Sequence, residues 1–323
     1  MSLRVQAFRG KGKSMKCVVF GGGGFIGSAI CDRLLQGGHS LRIFERPRVA
    51  PYRTFEPHEQ VQWLTGDLLS THDVSNAIDG VDAVLHLVST TLPKSSNDDP
   101  IFDVQSNLVA TLQMLHAMRT QNVPKIVFIS SGGTVYGNPV YLPIDELHPT
   151  EPRVSYGIIK LTIEKYLLMF QELYGIKTVI LRVANPYGER QRIETAQGAV
   201  GVFLHRALSA KPIEIWGDGS ITRDFLHVSD VAEAFARAVE YSGTTSVFNI
   251  SSGLGTSVNE LLDIIDELLG EERLHRIYLP GRPFDVPTSV LSNSLARREL
   301  DWLPTISLRD GILRTVEWLK QIF

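Results

Sequence analysis

Four consecutive glycines, Gly21 to Gly24, run into Phe25-Ile26-Gly27 between a short apolar stretch, Lys16–Phe20, and a stretch of helical periodicity, Phe25–Gln36. Lacking a Cβ, such residues let the chain turn sharply and let backbone N–H groups at the helix start approach an anion. A strand passing straight into a helix through this loop commits the chain to a βα unit with an anion-ready helix end. Gly21, Gly24 and Gly27 give a Gly-x-x-Gly-x-x-Gly frame, and Gly22 with Gly24 and Gly27 also satisfies Gly-x-Gly-x-x-Gly.

The same alternation continues downstream. Short, nearly all-apolar runs at Lys16–Phe20, Ser40–Phe44, Val61–Leu64, Ala83–Val88, Lys125–Ser130, Lys177–Arg182 and Ser246–Ile250 suit strands covered by helices on both faces. Helical spacing marks Phe25–Gln36, Asp103–Arg119, Ser155–Tyr174, Val200–Leu208, Ser229–Tyr241, Ser257–Leu269 and Leu308–Lys320, with Ser257 and Glu260 placed for a capping box. Pro and Gly cluster at Pro139–Pro152, Lys211–Gly219 and Pro280–Pro287, which read as loops. The pattern predicts an α/β fold: a Rossmann-type, doubly wound parallel sheet with a smaller, discontinuous C-terminal substrate domain. Residues 16–185 and 225–256 are assigned to the dinucleotide domain, 186–224 and 257–323 to the substrate domain, and 1–15 to a leader.

Composition narrows the function classes. A formal charge of −3 without a basic run excludes a general nucleic-acid binder, so an anionic ligand must be met locally. Cys17 and Cys31 form neither a disulfide framework nor a metal-ligand pattern, so no metal is expected and a reducing cytoplasm is. No apolar stretch reaches the roughly 18–20 residues that span a bilayer.

Two further features carry chemistry. Glu45 ends the second strand near the distance of about 20 residues expected for an acid on the adenine ribose, which favours NAD. Arg46 and Arg48 follow it and leave NADP open. Tyr156 and Lys160 stand four apart, so on a helix the ammonium shares a face with the phenol and favours its ionised form. That makes a candidate proton-transfer pair.

Together with these, a series of strings gives the chain its resemblance: Val19 to Gly27, Gly66-Asp67-Leu68, His86-Leu87, Ser130-Ser131 through Thr134-Val135-Tyr136-Gly137, Tyr156 with Lys160, Arg182 to Pro186, Gly217-Asp218-Gly219, Arg223-Asp224-Phe225 and Arg282 to Asp285. In order and spacing they resemble the extended short-chain dehydrogenase/reductase family, in particular its nucleotide-sugar epimerases similar to UDP-galactose 4-epimerase. The resemblance covers nearly all of Lys16 to Lys320. It implies that Gly21, Gly24, Phe25, Ile26, Gly27, Glu45, Arg46, Asp67, Leu68 and Leu87 bind the cofactor, Asp67 and Leu68 beside the adenine. Tyr156 and Lys160 would serve both catalysis and cofactor binding. Asn185 would hold the sugar diphosphate, Trp216 would lie near the base, Arg223 and Arg282 would clamp the phosphates, and Asp285 and Ser289 would border the substrate. It also implies a homodimer through the helices at Asp103–Arg119 and Ser155–Tyr174.

The resemblance has one clear departure. Family members carry Ser or Thr where this chain has Gly132, leaving Ser131 and Thr134 as the hydroxyls beside the catalytic pair. The dehydratase branch places Asp-Glu at Gly133 and Thr134, so elimination lacks its acid and base here. At Ser289, where relatives can carry a bulky aromatic, a small residue leaves room for an N-acetyl group. The expected activity is NAD-dependent 4-epimerization of a UDP-hexose through a 4-keto sugar, with UDP-GlcNAc and UDP-GalNAc as candidate substrates. An NDP-sugar reductase consuming NADPH and a non-catalytic dinucleotide sensor are the alternatives.

Overall fold

A computed structural model of the chain describes residues 14–92, 95–191, 198–270, 274–282 and 286–322. Asp285 and most of the expected leader lie outside these residues. Ser14 and Met15 do not belong to a detached leader: Ser14 Oγ donates to Gly38 O, and Ser40 N donates to Met15 O at 3.0 Å.

The first half of the chain runs β1 (Lys16–Phe20), α1 (Phe25–Gln36), β2 (Ser40–Glu45), β3 (Val61–Thr65), α2 (Thr71–Ile78), β4 (Ala83–His86), α3 (Pro100–Asp103), a π-helical segment (Val104–Val109), α4 (Ala110–Gln121), β5 (Lys125–Ser131), α5 (Ser155–Tyr174) and β6 (Lys177–Val183). The second half adds β7 (Asn185–Tyr187), α6 (Ala199–Leu208), β8 (Ile213–Trp216), β9 (Thr222–His227), α7 (Val228–Glu240), β10 (Val247–Ile250), β11 (Gly255–Ser257), α8 (Val258–Leu269), β12 (Arg276–Leu279), β13 (Thr288–Ser289), α9 (Ser294–Glu299) and α10 (Leu308–Ile322).

Seven parallel strands form one sheet in the order β10-β6-β5-β4-β1-β2-β3. From β1 the chain winds outward through β2 and β3, then returns to β4 and winds the other way. The crevice beyond the carboxyl ends of β1 and β4 is therefore the switch point where ligands of such sheets bind. Both faces are covered. Cys17, Val19, Val127 and Ile129 pack with α1 and α7, while Val18, Phe20, Ile126 and Phe128 pack with α4 and α5. That double burial is why the strands read as continuous apolar runs.

A third core joins α6, β8, α8 and α10 around Leu204, Ile215, Leu262 and Val316. The Ser257–Glu260 capping box is present at the start of α8. Its neighbour β8 corrects one reading, because the Lys211–Gly219 stretch holds a strand paired with β12. A second correction concerns the helix expected over Asp103–Arg119, which is broken into α3, the π segment and α4. There Asn107 Nδ2 donates to Asp103 O at 3.1 Å and Thr111 Oγ1 to Asn107 O at 2.6 Å, so side chains enter the backbone ladder. Helix α2, capped by Ser70, lacks enough apolar length to be visible in the sequence.

The glycine loop sets the approach of α1 to β1. A Cβ on Gly27 would lie 2.1 Å from Gly21 O and 2.8 Å from Gly22 Cα, so helix and loop are in backbone contact. Gly27→Ala is expected to destabilise the fold by about 1–3 kcal/mol, read as a lower Tm. An unchanged Tm would show that the loop has room to yield.

Candidate active site

The loop is shaped for a dinucleotide. Gly21 has φ +87°, a conformation L side chains rarely adopt, and Gly24 caps α1 without a side chain. Glu45, at the end of β2 and 9% exposed, accepts from Gly23 N at 2.8 Å and from Arg46 N at 3.3 Å. The carboxylate thus sits against the loop at the crevice edge, while Arg46 is exposed. Phe25 and Ile26 open α1, and Leu87, just past β4, donates its N–H to Phe20 O at 3.1 Å. Asp67 is exposed with its carboxylate on Leu69 N, and Leu68 is buried beside it. A tightly packed glycine loop that tolerates no side chains at Gly22, Gly23 and Gly27, a helix start behind it and a strand-end carboxylate fit a dinucleotide.

Helix α5 carries the proton-transfer candidates. Its N-cap residue Val154 has no capping side chain, so the first N–H groups are satisfied from another segment: Ser155 N donates to Asn97 Oδ1 at 2.9 Å and Tyr156 N to Ser96 Oγ at 3.0 Å. This capping from a distant loop fixes where Tyr156 starts. Lys160 is buried, donates to Ile129 O at 3.0 Å, and lies 4.8 Å from the Phe128 ring centre and 5.6 Å from that of Tyr156.

The electrostatics differ from the simple expectation that Lys160 lowers the phenol. Burial, then the Asp103 carboxylate, pushes Tyr156 up to about 12. Burial pulls Lys160 down to about 8, opposed by Glu164 and Asp103. The lysine faces ring surfaces and a backbone carbonyl, and desolvation outweighs its attraction for a phenolate. His86, also buried, falls to about 3 through burial and the Lys160 charge, and its Nε2 bonds Thr111 Oγ1 at 2.8 Å.

Several contributors were not legible in the sequence. Asp103 accepts from Thr91 Oγ1 (2.6 Å), Asn107 Nδ2 (2.8 Å) and Ser155 Oγ (2.6 Å), joining the loop after β4, the π segment and α5. Asn107 Oδ1 accepts from Thr90 N at 2.9 Å. Glu164 pairs with Arg182 at 2.6 Å and accepts from Ser130 Oγ.

Ser131 ends β5, and because Ser130 reaches Glu164 on α5, strand alternation turns Ser131 to the other face; Thr134 lies beside α5, with its carbonyl 2.8 Å from where a Gly157 Cβ would stand. Asn185 Nδ2 donates to Asp224 O at 3.0 Å. Trp216, 40% exposed, carries the Arg282 guanidinium 4.0 Å from its ring centre. Arg223 Nη1 donates to Val286 O at 2.6 Å and Thr222 O at 2.9 Å, and the buried Ser289 pairs with Arg223 across β9 and β13.

Sheet, glycine loop and the candidate proton-transfer pair on α5 fit a Rossmann-fold enzyme that uses a nicotinamide cofactor. Residues 17–251 match the NAD dependent epimerase/dehydratase family, and the chain belongs to it. It is an NAD-dependent enzyme. A UDP-glucose 4-epimerase of Mycolicibacterium smegmatis is 35% identical over 95% of this chain and 99% of that protein. The structure of UDP-glucose 4-epimerase from Thermotoga maritima with UDP-glucose matches at a TM-score of 0.89 and 32% identity, covering 95% of this chain and 99% of that one. UDP-N-acetylglucosamine 4-epimerase from Methanobrevibacter ruminantium, in complex with UDP-N-acetylmuramic acid, matches at 0.89 and 28%, covering 96% and 100%. Among the described residues no helix is long and apolar enough to cross a membrane.

The Lys160 shift has a consequence for stability. Its folded value, about 8, lies below the ordinary 10.5, so the unfolded chain binds the extra proton between these limits and wild-type stability rises with pH there. Lys160→Met should therefore be more stable than wild type at pH 7 by about 3 kcal/mol, an advantage that shrinks as pH rises through the window. Urea unfolding at pH 7 and pH 10 measures this. A pH-independent difference would contradict it.

Proposed function

We propose that the protein interconverts C4 epimers of a UDP-hexose through a 4-keto sugar, and that N-acetylhexosamine forms are among its substrates. One observation carries the reading: Tyr156 and Lys160 share a face of α5 beside a dinucleotide crevice, in a chain with Gly133 and Thr134 where dehydration needs carboxylates. When bound, NAD supplies the acceptor and donor of hydride at sugar C4. Tyr156 takes the proton from the 4-hydroxyl and returns it after the keto sugar presents its other face. Lys160, with a pKa of about 8, is largely an ammonium at neutral pH and places positive charge beside the ring of the base.

Residues of 186–224 and 257–323 hold the nucleotide sugar in this reading, and those of 16–185 and 225–256 hold NAD. The Arg282–Trp216 stack puts a phosphate-binding fork beside an aromatic face, as a base joined to a diphosphate requires. Arg223 supplies the second guanidinium and Asn185 a polar contact. Ser289 is small, and the similarity to the M. ruminantium enzyme supports an N-acetyl substrate.

The assembly proposed is a homodimer through α4 and α5. On α5, Ile158 (49%), Met169 (38%) and Leu173 (61%) are exposed, and a shallow cavity of about 300 Å³ is lined by Leu161, Thr162, Lys165, Tyr166 and Met169. Exposed apolar residues spread along one helix in this way support its burial by a partner.

Purified protein incubated with a panel of UDP-sugars and no added cofactor is expected to form the 4-epimer without net change in nicotinamide absorbance. Stoichiometric NADPH consumption would establish the reductase instead. Tyr156→Phe should keep cofactor and UDP-sugar binding while turnover falls about 10²–10⁴-fold, and near-wild-type turnover would remove Tyr156 from its role. Light scattering at micromolar concentration is expected to give twice the chain mass of 35.9 kDa. A monomer mass would refute the dimer.

A further inference from the structure

Asp32 lies on α1, about two turns beyond the glycine loop, and gathers partners from two segments far apart in the chain. Each carboxylate oxygen serves a different one. Oδ1 accepts from Tyr52 Oη at 3.0 Å and Arg53 Nε at 2.8 Å, both in the loop that follows β2. Oδ2 accepts from Arg190 Nη1 at 2.7 Å, in the segment that follows β7.

The loop after β2 starts at the cofactor crevice. It continues directly from Glu45, whose carboxylate accepts from Gly23 N, and runs to β3. Within it Arg53 donates to both oxygens of Glu59 at 2.7 Å, which closes the loop on itself, and Asp32 fastens the closed loop to α1. The segment after β7 is a strap with a different anchor at each residue. Glu189 Oε2 lies 3.2 Å from His227 Nε2 of β9, and Gln191 is buried where a Cβ on Gly201 of α6 would lie 2.9 Å from its Oε1. Between them Arg190 crosses to Asp32 and sets its guanidinium 4.8 Å from the Tyr52 ring centre.

Arg190 holds this position at φ +66°, a left-handed conformation that a residue with a Cβ rarely adopts. Such a backbone persists only where its surroundings over-determine it, and strain of this kind gathers at clamps and ligand sites. A lone, partly exposed ion pair would hold little. Here the pair is one link in a chain of four charges, Arg190, Asp32, Arg53 and Glu59, with an aromatic ring beneath the first of them. That chain runs from the strap, across α1, into the loop that begins at Glu45.

We infer that Asp32 and Arg190 are positioning residues for the cofactor: their ion pair ties the strap after β7 to the loop after β2, and bound NAD leaves only when this tie opens. The inference goes beyond the epimerase reading. It needs the cofactor alone and no turnover of any sugar.

The test follows release of NAD rather than activity. Protein loaded with radiolabelled NAD is chased with excess unlabelled NAD, and the retained label is measured with time beside the Tm of each variant. Arg190→Gln should release NAD about tenfold faster than wild type, the loss of one charge-assisted hydrogen bond. Arg190→Lys keeps a cation for Asp32 and should stay within about threefold. Asp32→Asn frees both arginines and should release faster still, and adding Arg190→Gln to it should change nothing more, because Arg190 acts through Asp32. If Asp32→Asn fails to fold, Arg190→Gln decides the matter, since it leaves Asp32 paired with Arg53. Arg309→Gln, which breaks an exposed pair with Glu267, should release NAD as wild type does. Release from Arg190→Gln at the wild-type rate overturns the inference whatever its Tm, and so does further acceleration in the double variant. Absence of turnover with every UDP-sugar would overturn the functional reading and not this one.

Discussion

Deep in the sheet–helix interface, the Glu164 carboxylate of α5 meets the Arg182 guanidinium of β6 at 2.6 Å, both nearly excluded from solvent. Two charges so placed are tolerable only when each is fully paired, and removing one partner typically costs about 3–5 kcal/mol. Here the pairing is extensive. Ser130 of β5 donates to Glu164, Arg182 Nη1 donates to Tyr136 Oη at 2.9 Å, and Tyr136 donates to Asn249 Oδ1 of β10 at 2.7 Å. The network therefore locks α5 to β5, β6 and β10 in one register. Tyr156, Lys160 and Glu164 recur every four residues on that helix, so the anchored carboxylate dictates where the phenol and the ammonium stand.

The same arrangement sets their charge states. Lys160 lies between the fields of Glu164 and Asp103, which support its ammonium, and the desolvation that opposes it. Tyr156 feels the opposite balance, with burial and Asp103 both keeping the phenol protonated. Asp103 is held by the loop after β4, the π segment and the first residue of α5, so the negative charge is fixed by three separate pieces of chain. A phenol held protonated by burial and a nearby carboxylate serves the proposed role of base only with added positive charge beside it.

Much of this was legible in residue order, and the reason is local. The seven sheet strands announce themselves because burial on both faces demands apolar runs, and the glycine loop because backbone approach demands missing side chains. Tyr156 and Lys160 share a face through helix periodicity alone. What stayed hidden depends on chain segments far apart: the capping of α5 by Ser96 and Asn97, the Asp103 cluster, and Leu291 filling the space at Gly132. The π turn hid for another reason. One extra residue per turn over a single turn barely changes the apolar spacing of the helix expected at Asp103–Arg119. The short strands β7, β8 and β13 pair with partners distant in sequence, and two to four residues carry too little periodicity to be read.

Leu291 shows how the later part of the chain reaches back to the end of β5. Asp224, completely buried, accepts from Ser252 N, Ser252 Oγ, Gly253 N and Leu291 N, and thereby fixes both the strand that carries Arg223 and the segment that reaches back over Gly132. A shift of that segment would move Leu291 against the end of β5 and move Ser289, two residues earlier, along β9. Leu291, which closes over the turn after β5, and the residues proposed to fit the nucleotide sugar are consequently tied to one anchor. The turn after β5 and the strand pair carrying Arg223 and Ser289 therefore share the Asp224 carboxylate, so a displacement at one is transmitted to the other.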